Sequence, residues 1–425
     1  MFPDRVEDYK NHLKHSKHHL QRESEELREL LQTKRKKLAE VEANSQRTIV
    51  SRIIEFLSPL YRNALTLSVL SVAIVYALFA NYPEPPLSPI LFQWRQMGKT
   101  FTYKNYQIYY LDQSNENITV NDLLLYLHGF PTSSYDIFKI FPQLRKKFRR
   151  IVAPDFLGSG FSDKPKYYNY NVNDQAQLVM KLMDTIEVYS NIHILAHDFG
   201  DTVAQELMRL NREKQLNFKI SSVCMLNGGI FPNHYQPLLI QKSVRPRWPV
   251  KVRHLHLIAM IIRFDKPRFL ISKLLKIPFF GMILSKLSNS LLFSISLRKT
   301  FGVNQPTSSE MYDFWKLIRL KNGYENFGRI LNYLDERVAN EHEWMLSISH
   351  SEQPLHFIYG PADPINPSPT FPEVYHQLIN HPSLEILPNS IGHYPQLEAP
   401  QLVIDSYLNF LFREKLLQNV IESNW

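Results

Sequence analysis

Three short stretches of this 425-residue chain hold side chains that could act together on one bond: Asp198 in LAHDFGD, Asp363 in HFIYGPADPINP and His393 in NSIGHYPQLEAP. Ala196 and Gly200 flank Asp198 two positions away on either side. A strained strand-to-helix turn demands small residues at both places, because bulk there would clash while the central side chain stands out as a nucleophile. The competing reading is an N-cap aspartate at the start of a helix over 203–212. A fourth stretch, LYLHGFPTSS, puts His128, Gly129, Phe130 and Pro131 in a turn after an apolar run. Its backbone N–H, with that of Phe199 as second donor, can be aimed at a developing oxyanion or alkoxide.

These residues need a frame that brings distant positions together. Short apolar runs at 107–111, 123–127, 151–155, 192–196, 221–226, 355–359 and 384–387 read as strands, and amphipathic stretches such as 173–188 and 203–212 read as helices between them. Strands that are apolar on both faces and alternate with helices indicate a mostly parallel α/β sheet. In such a sheet reactive groups collect at the carboxyl ends of the strands, where Asp198, Asp363 and His393 all fall. More than 100 residues with helical periodicity separate the fifth and sixth runs, so an inserted helical cap is expected over 229–350. The core then occupies 100–228 and 351–417. Asp155, in DFLGSGFSDKP, reads as a residue that holds a glycine-rich loop by hydrogen bonds.

At these motifs the chain resembles the α/β-hydrolase family, in the branch of epoxide hydrolases and haloalkane dehalogenases, with their HGFP-like and HDxG-like signatures. The order Asp198, Asp363, His393 matches that fold's order of nucleophile, acid and histidine. DFLGSGFSDKP, NGGIFP and HYPQLE extend the likeness, which runs from about residue 101 to 412 and is thin in the cap. The resemblance implies that Asp198 attacks carbon to form an alkyl ester and that His393, oriented by Asp363, activates the water that hydrolyses it. Chemistry agrees, since a carboxylate attacks saturated carbon well but gives an unstable anhydride from a carbonyl. Epoxide hydrolases of this kind donate to the epoxide oxygen from two cap tyrosines. Here Leu334 stands where one is expected, with Tyr333 adjacent, and Tyr235 is the candidate for the other. Dehalogenases commonly put a halide-binding tryptophan after the nucleophile, where this chain has Phe199.

Composition narrows the remaining classes. Cys224 is the only cysteine, so disulfides and redox chemistry are not expected. The net charge is +9, but the basic residues concentrate at 242–299, alternating with Leu, Ile and Phe. That pattern suits a lipid-facing surface better than a nucleic-acid groove, the plainer reading being a cap helix with solvated lysines. No metal-ligand spacing, phosphate-cradling glycine loop or dinucleotide fingerprint occurs, so no cofactor is expected.

Upstream of the core, 64–82 is an uncharged apolar run read as a single-pass transmembrane helix, near the ~20 residues that cross a ~30 Å hydrocarbon core. Arg47, Arg52 and Arg62 precede it, which predicts a cytosolic N-terminus and a hydrolase unit in the lumen of the endoplasmic reticulum. The sequon at Asn117 is usable only in that orientation. Residues 1–63 form a basic helical region whose heptad leucines could pair as a coiled coil, giving self-association, or lie solvated or on the membrane surface. Residues 83–99 read as a proline-rich linker. The expectation is a membrane-anchored α/β-hydrolase acting on an apolar, lipid-derived substrate. Two alternatives stay open: a lipid acyltransferase or esterase using the same site, and a non-catalytic scaffold that binds lipid or protein.

Overall fold

A computed structural model describes residues 4–80, 86–118, 122–231, 236, 290–379 and 383–416. The chain divides into two compact units, Met1–Pro86 and Leu87–Trp425. In the first, α1 (Asp4–Ala80) is one continuous helix of 77 residues, so the basic region and the apolar run are not separate elements. The expected transmembrane anchor over 64–82 finds no support: among the described residues no helix is long and apolar enough to cross a membrane.

The second unit begins earlier than the sequence reading placed it. The expected linker over 83–99 instead contains α2 (Pro89–Met97), with Ser88 as N-cap accepting the Leu91 N–H and proline at the first helical position. Leu91 and Trp94 turn inward and are buried. A strand missed in the sequence, β1 (Gly98–Tyr103), follows directly and pairs antiparallel with β2 (Tyr106–Ser114). Lys104 and Asn105 link them with φ of 47° and 69°, the two positive values that a tight hairpin turn needs.

Six further strands complete one sheet: β3 (Leu123–Leu127), β4 (Arg150–Pro154), β5 (Ile192–His197), β6 (Ile220–Leu226), β7 (Leu355–Tyr359) and β8 (Leu384–Ile386). Their spatial order is β1-β2-β4-β3-β5-β6-β7-β8. From β4 to β8 every pairing is parallel. β3 and β5 are buried at every position, as strands covered by helices on both faces must be. Helices α3 (Val172–Thr185) and α4 (Phe199–Arg212) pack on each other beside this centre. The described part of the cap includes α5 (Tyr333–Ala339) and α6 (Glu341–Ser349), and α6 packs against α4. Residues 237–289, which hold most of the basic and apolar cap stretch, lie outside the described residues.

Candidate active site

β5 ends at His197 and α4 begins at Phe199, leaving Asp198 alone in the turn at φ 48° and ψ −101°. A non-glycine residue in that region costs about 1–3 kcal/mol, and the surroundings hold it there. The Asp198 side chain makes no capping hydrogen bond, which removes the N-cap reading. A Cβ at Gly200 would stand 2.0 Å from the Leu127 carbonyl oxygen, so α4 can approach β3 only with glycine at this place.

The two carboxylate oxygens of Asp198 have different surroundings. Oδ2 accepts the N–H of Phe130 at 3.1 Å, which places the expected backbone donor on the nucleophile candidate. Oδ1 lies 4.0 Å from His393 Nε2 and 3.5 Å from Nη2 of Arg337 on α5. The His393 ring donates from Nδ1 to Asp363 Oδ2 at 2.8 Å. Its Nε2 is thereby the free acceptor, facing Asp198, as a general base must be.

Asp363 sits in the loop after β7 and is held by four donors. Oδ2 also receives the Nδ2 groups of Asn227 at 3.0 Å and Asn366 at 2.8 Å, and Oδ1 the Ile365 N–H at 2.8 Å. Burial opposes its charge, but the His393 charge and these hydrogen bonds outweigh it and keep its pKa below the usual aspartate value. Burial likewise opposes protonation of His393, yet the charge and hydrogen bond of Asp363, with the Asp198 charge, raise its pKa above the usual histidine value. Arg337 acts in the opposite sense. Burial, then the charge of Asp198, pushes the nearby Asp201 far above the ordinary range, which favours its neutral form.

The loop that carries His393 is pinned from three sides. Its N–H donates to the Thr300 carbonyl at 2.8 Å, and its own carbonyl accepts from His197 Nε2 at 2.9 Å. Glu398, in the PQLE turn, gathers the N–H groups of Gly302, Gly392 and Tyr394 at 2.8, 2.9 and 3.2 Å. Asp155 holds its loop as expected, accepting the N–H groups of Ser134 and Phe161.

The other sequence candidates divide. The His128 ring turns away from Asp198: Nδ1 lies 2.8 Å from the Gly129 carbonyl, and Nε2 accepts the Phe156 N–H at 3.0 Å. Burial lowers its pKa, so it is a neutral brace for the loop after β4. Gly129 admits the adjoining His197 ring, since a Cβ there would come 2.5 Å from its Nδ1. Phe199 and Tyr333 pack with their rings tilted and their centres 4.7 Å apart, and the ring of Phe130 is centred 5.0 Å from that of Phe327. Together they form an apolar wall beside the carboxylate. Tyr333, not Leu334, supplies the aromatic ring there. Tyr235 lies outside the described residues. Arg337, Asn227, Asn366 and Glu398 escaped the sequence reading. The one signal for Arg337 was its four-residue spacing from Tyr333, which puts both on one helical face. Among the described residues no cluster of His, Cys, Asp and Glu could hold a metal ion.

Comparison with known proteins agrees with this fold. A family described as alpha/beta hydrolase fold matches residues 122–249. The chain is 37% identical over 338 residues to the mesoderm-specific transcript protein of Mus musculus, covering 79% of this chain and 92% of that one. The solved structure of the epoxide hydrolase CorEH is similar at a TM-score of 0.51 and 18% identity, covering 75% of this chain and 99% of that one. The haloalkane dehalogenase DbeA from Bradyrhizobium elkani is similar at 0.54 and 18%, with 76% and 99% covered.

Proposed function

The chain belongs to the family of the mesoderm-specific transcript proteins, within the α/β-hydrolase fold, and from that premise we propose that it is a hydrolase in which Asp198 attacks a carbon electrophile of an apolar, lipid-derived substrate. The observation that carries this reading is the turn at Asp198. It presents a carboxylate with one oxygen taken by the Phe130 N–H and the other facing a histidine fixed by Asp363. Attack by Oδ1 breaks the bond from carbon to the leaving group and gives an ester. His393 then takes a proton from water, whose oxygen adds to the ester carbon with the charge received at the Phe130 N–H. The wall of Phe130, Phe199 and Tyr333 suits an alkyl chain.

Several turnovers in heavy-oxygen water, followed by mass spectrometry of the peptide containing Asp198, test this step. Label in the Asp198 carboxylate is expected. Turnover without label, with an acyl chain moving between lipids, would replace the reading by acyl transfer, and full function in the Asp198→Ala, His393→Ala double variant would replace it by a non-catalytic scaffold.

The same proposal places the enzyme at the membrane of the endoplasmic reticulum, with a cytosolic N-terminus and a lumenal hydrolase unit. Its support is sequence alone: the uncharged run at 64–80 and the basic, apolar stretch at 242–299. Glycosidase-sensitive mass at Asn117 is expected, and an unglycosylated, protease-accessible unit in intact microsomes would reverse the orientation.

A further inference from the structure

Arg337 is a buried cation for which attack at carbon has no use. It is 1% exposed, on α5 of the cap, and two hydrogen bonds fix it to the nucleophile turn. Nη2 donates to the Asp198 carbonyl at 3.0 Å and Nε to Thr202 Oγ1 at 2.8 Å. The Tyr333 ring, centred 4.7 Å from the guanidinium carbon, backs it. Held this way, the guanidinium lies 3.5 Å from Asp198 Oδ1, the oxygen that the Phe130 N–H leaves available. A cation against a carboxylate stabilises its charge and so makes it a poorer nucleophile. Placing one here slows the first half of the proposed reaction.

The sign reverses in the second half. Once Oδ1 carries the alkyl group, Asp198 is a neutral ester and the guanidinium faces an oxygen that must become negative again. We propose that Arg337 is a catalytic residue of ester hydrolysis, stabilising Oδ1 as it departs with the alkyl group. Water gives a proton to His393 Nε2 and its oxygen bonds to the Asp198 carboxyl carbon, with negative charge passing to Oδ2 at the Phe130 N–H. The bond from that carbon to Oδ1 then breaks and its electron pair goes to Oδ1, beside the guanidinium. The proton on His393 neutralises Oδ1 and the alcohol leaves; the carboxylic acid left on Asp198 then gives its remaining proton to His393 Nε2 and on to solvent, so that Asp198 regains a carboxylate containing one oxygen from water. The cation helps a second way, because its charge opposes premature protonation of His393. A fixed charge at the atom where charge develops is the kind of stabilisation whose loss costs about 10²–10³-fold in rate.

This inference rests on Asp198 as the nucleophile, and the alternative for Arg337 is a clasp that ties α5 to the core. Rapid quenching and intact mass spectrometry of the full chain in detergent micelles, with 1,2-epoxydodecane and 1-bromododecane as probes, separate the two. Arg337→Gln keeps hydrogen-bonding groups and removes the charge; Arg337→Lys keeps the charge. In Arg337→Gln the Asp198 ester is expected to form at least as fast as in the parent chain and to decay about 100-fold more slowly, so that it accumulates, while Arg337→Lys restores much of the decay rate. Formation and decay slowed alike in both variants, with no accumulation, would leave only the clasp. Should Arg337→Gln fail to melt cooperatively, Arg337→Lys decides alone: an ester that decays as slowly as in a His393→Gln chain overturns the role of the charge. If the parent chain acquires no mass at Asp198 from either probe and turns over neither, the nucleophile reading fails, and this inference with it.

Discussion

Asp363 Oδ2 and His393 Nδ1 lie 2.8 Å apart, although 30 residues separate them in the chain. That bond commits the ring to one orientation and leaves Nε2 facing Asp198 Oδ1 at 4.0 Å, the side on which the proposed reaction needs its hydrolytic water activated. If His393 activates that water, its loss stops the reaction after the first bond is made. His393→Gln is expected to retain a stable adduct on Asp198, seen as a mass increase of the intact chain. A variant that reacts yet returns to its original mass at the parent rate would remove His393 from the mechanism.

The pH profile follows from the same pair. His393 must be neutral to accept a proton, and its pKa is raised above the ordinary 6.5. The rate should therefore climb with pH through a midpoint above that value. Asp363→Asn removes the charge that does most to raise it, so the midpoint should move down while the maximal rate falls roughly 10³–10⁴-fold. A midpoint that stays in place in the variant contradicts the assignment. In stability the depressed Asp363 pKa acts as a carboxylate contribution present at neutral pH and lost as pH falls through the folded value. The acid side of the melting curve should accordingly flatten in the variant.

Gly200→Ala tests the turn without touching a reacting group. The new Cβ would meet the Leu127 carbonyl oxygen at 2.0 Å, and backbone cannot yield as a flexible side chain does. A loss of about 3 kcal/mol or more in stability is expected from urea unfolding, with the ester-forming step impaired in whatever folds. A neutral substitution would mean that α4 does not press on β3.

Trp94→Ala tests whether α2 belongs to the hydrolase unit. Trp94 is buried, with its ring 5.6 Å from Tyr135 and 5.2 Å from Phe141. Truncation should cost about 3–5 kcal/mol, measured on the full chain by the near-ultraviolet transition. The same change at Phe92, which is exposed, should cost little. Equal small effects at both positions would return 89–97 to the role of a linker.

Much of this molecule could be read from one dimension. The apolar runs of β3, β5, β6 and β7 are legible because strands buried on both faces leave no polar alternation to confuse. Asp198, Asp363 and His393 were legible because each follows such a run, and Ala196 and Gly200 because a tight turn excludes bulk. β1 was not, since GKTFTY mixes Lys and Thr with its aromatics as an edge strand does. Nor was α2, whose prolines suggested a spacer when Pro89 was the first residue of a helix.

What the tertiary structure alone decided is which side chains share a space. LDERV reads as a solvated helix in any sequence, and only the packing of the cap on the core turns Arg337 inward to Asp198 Oδ1. Four donors converge on Asp363, and one of them, Asn227, lies 136 residues away in the chain. Periodicity records which face of an element is buried, because burial acts on each residue separately. It does not record the partner across the interface, because that depends on two distant segments meeting at one distance and angle.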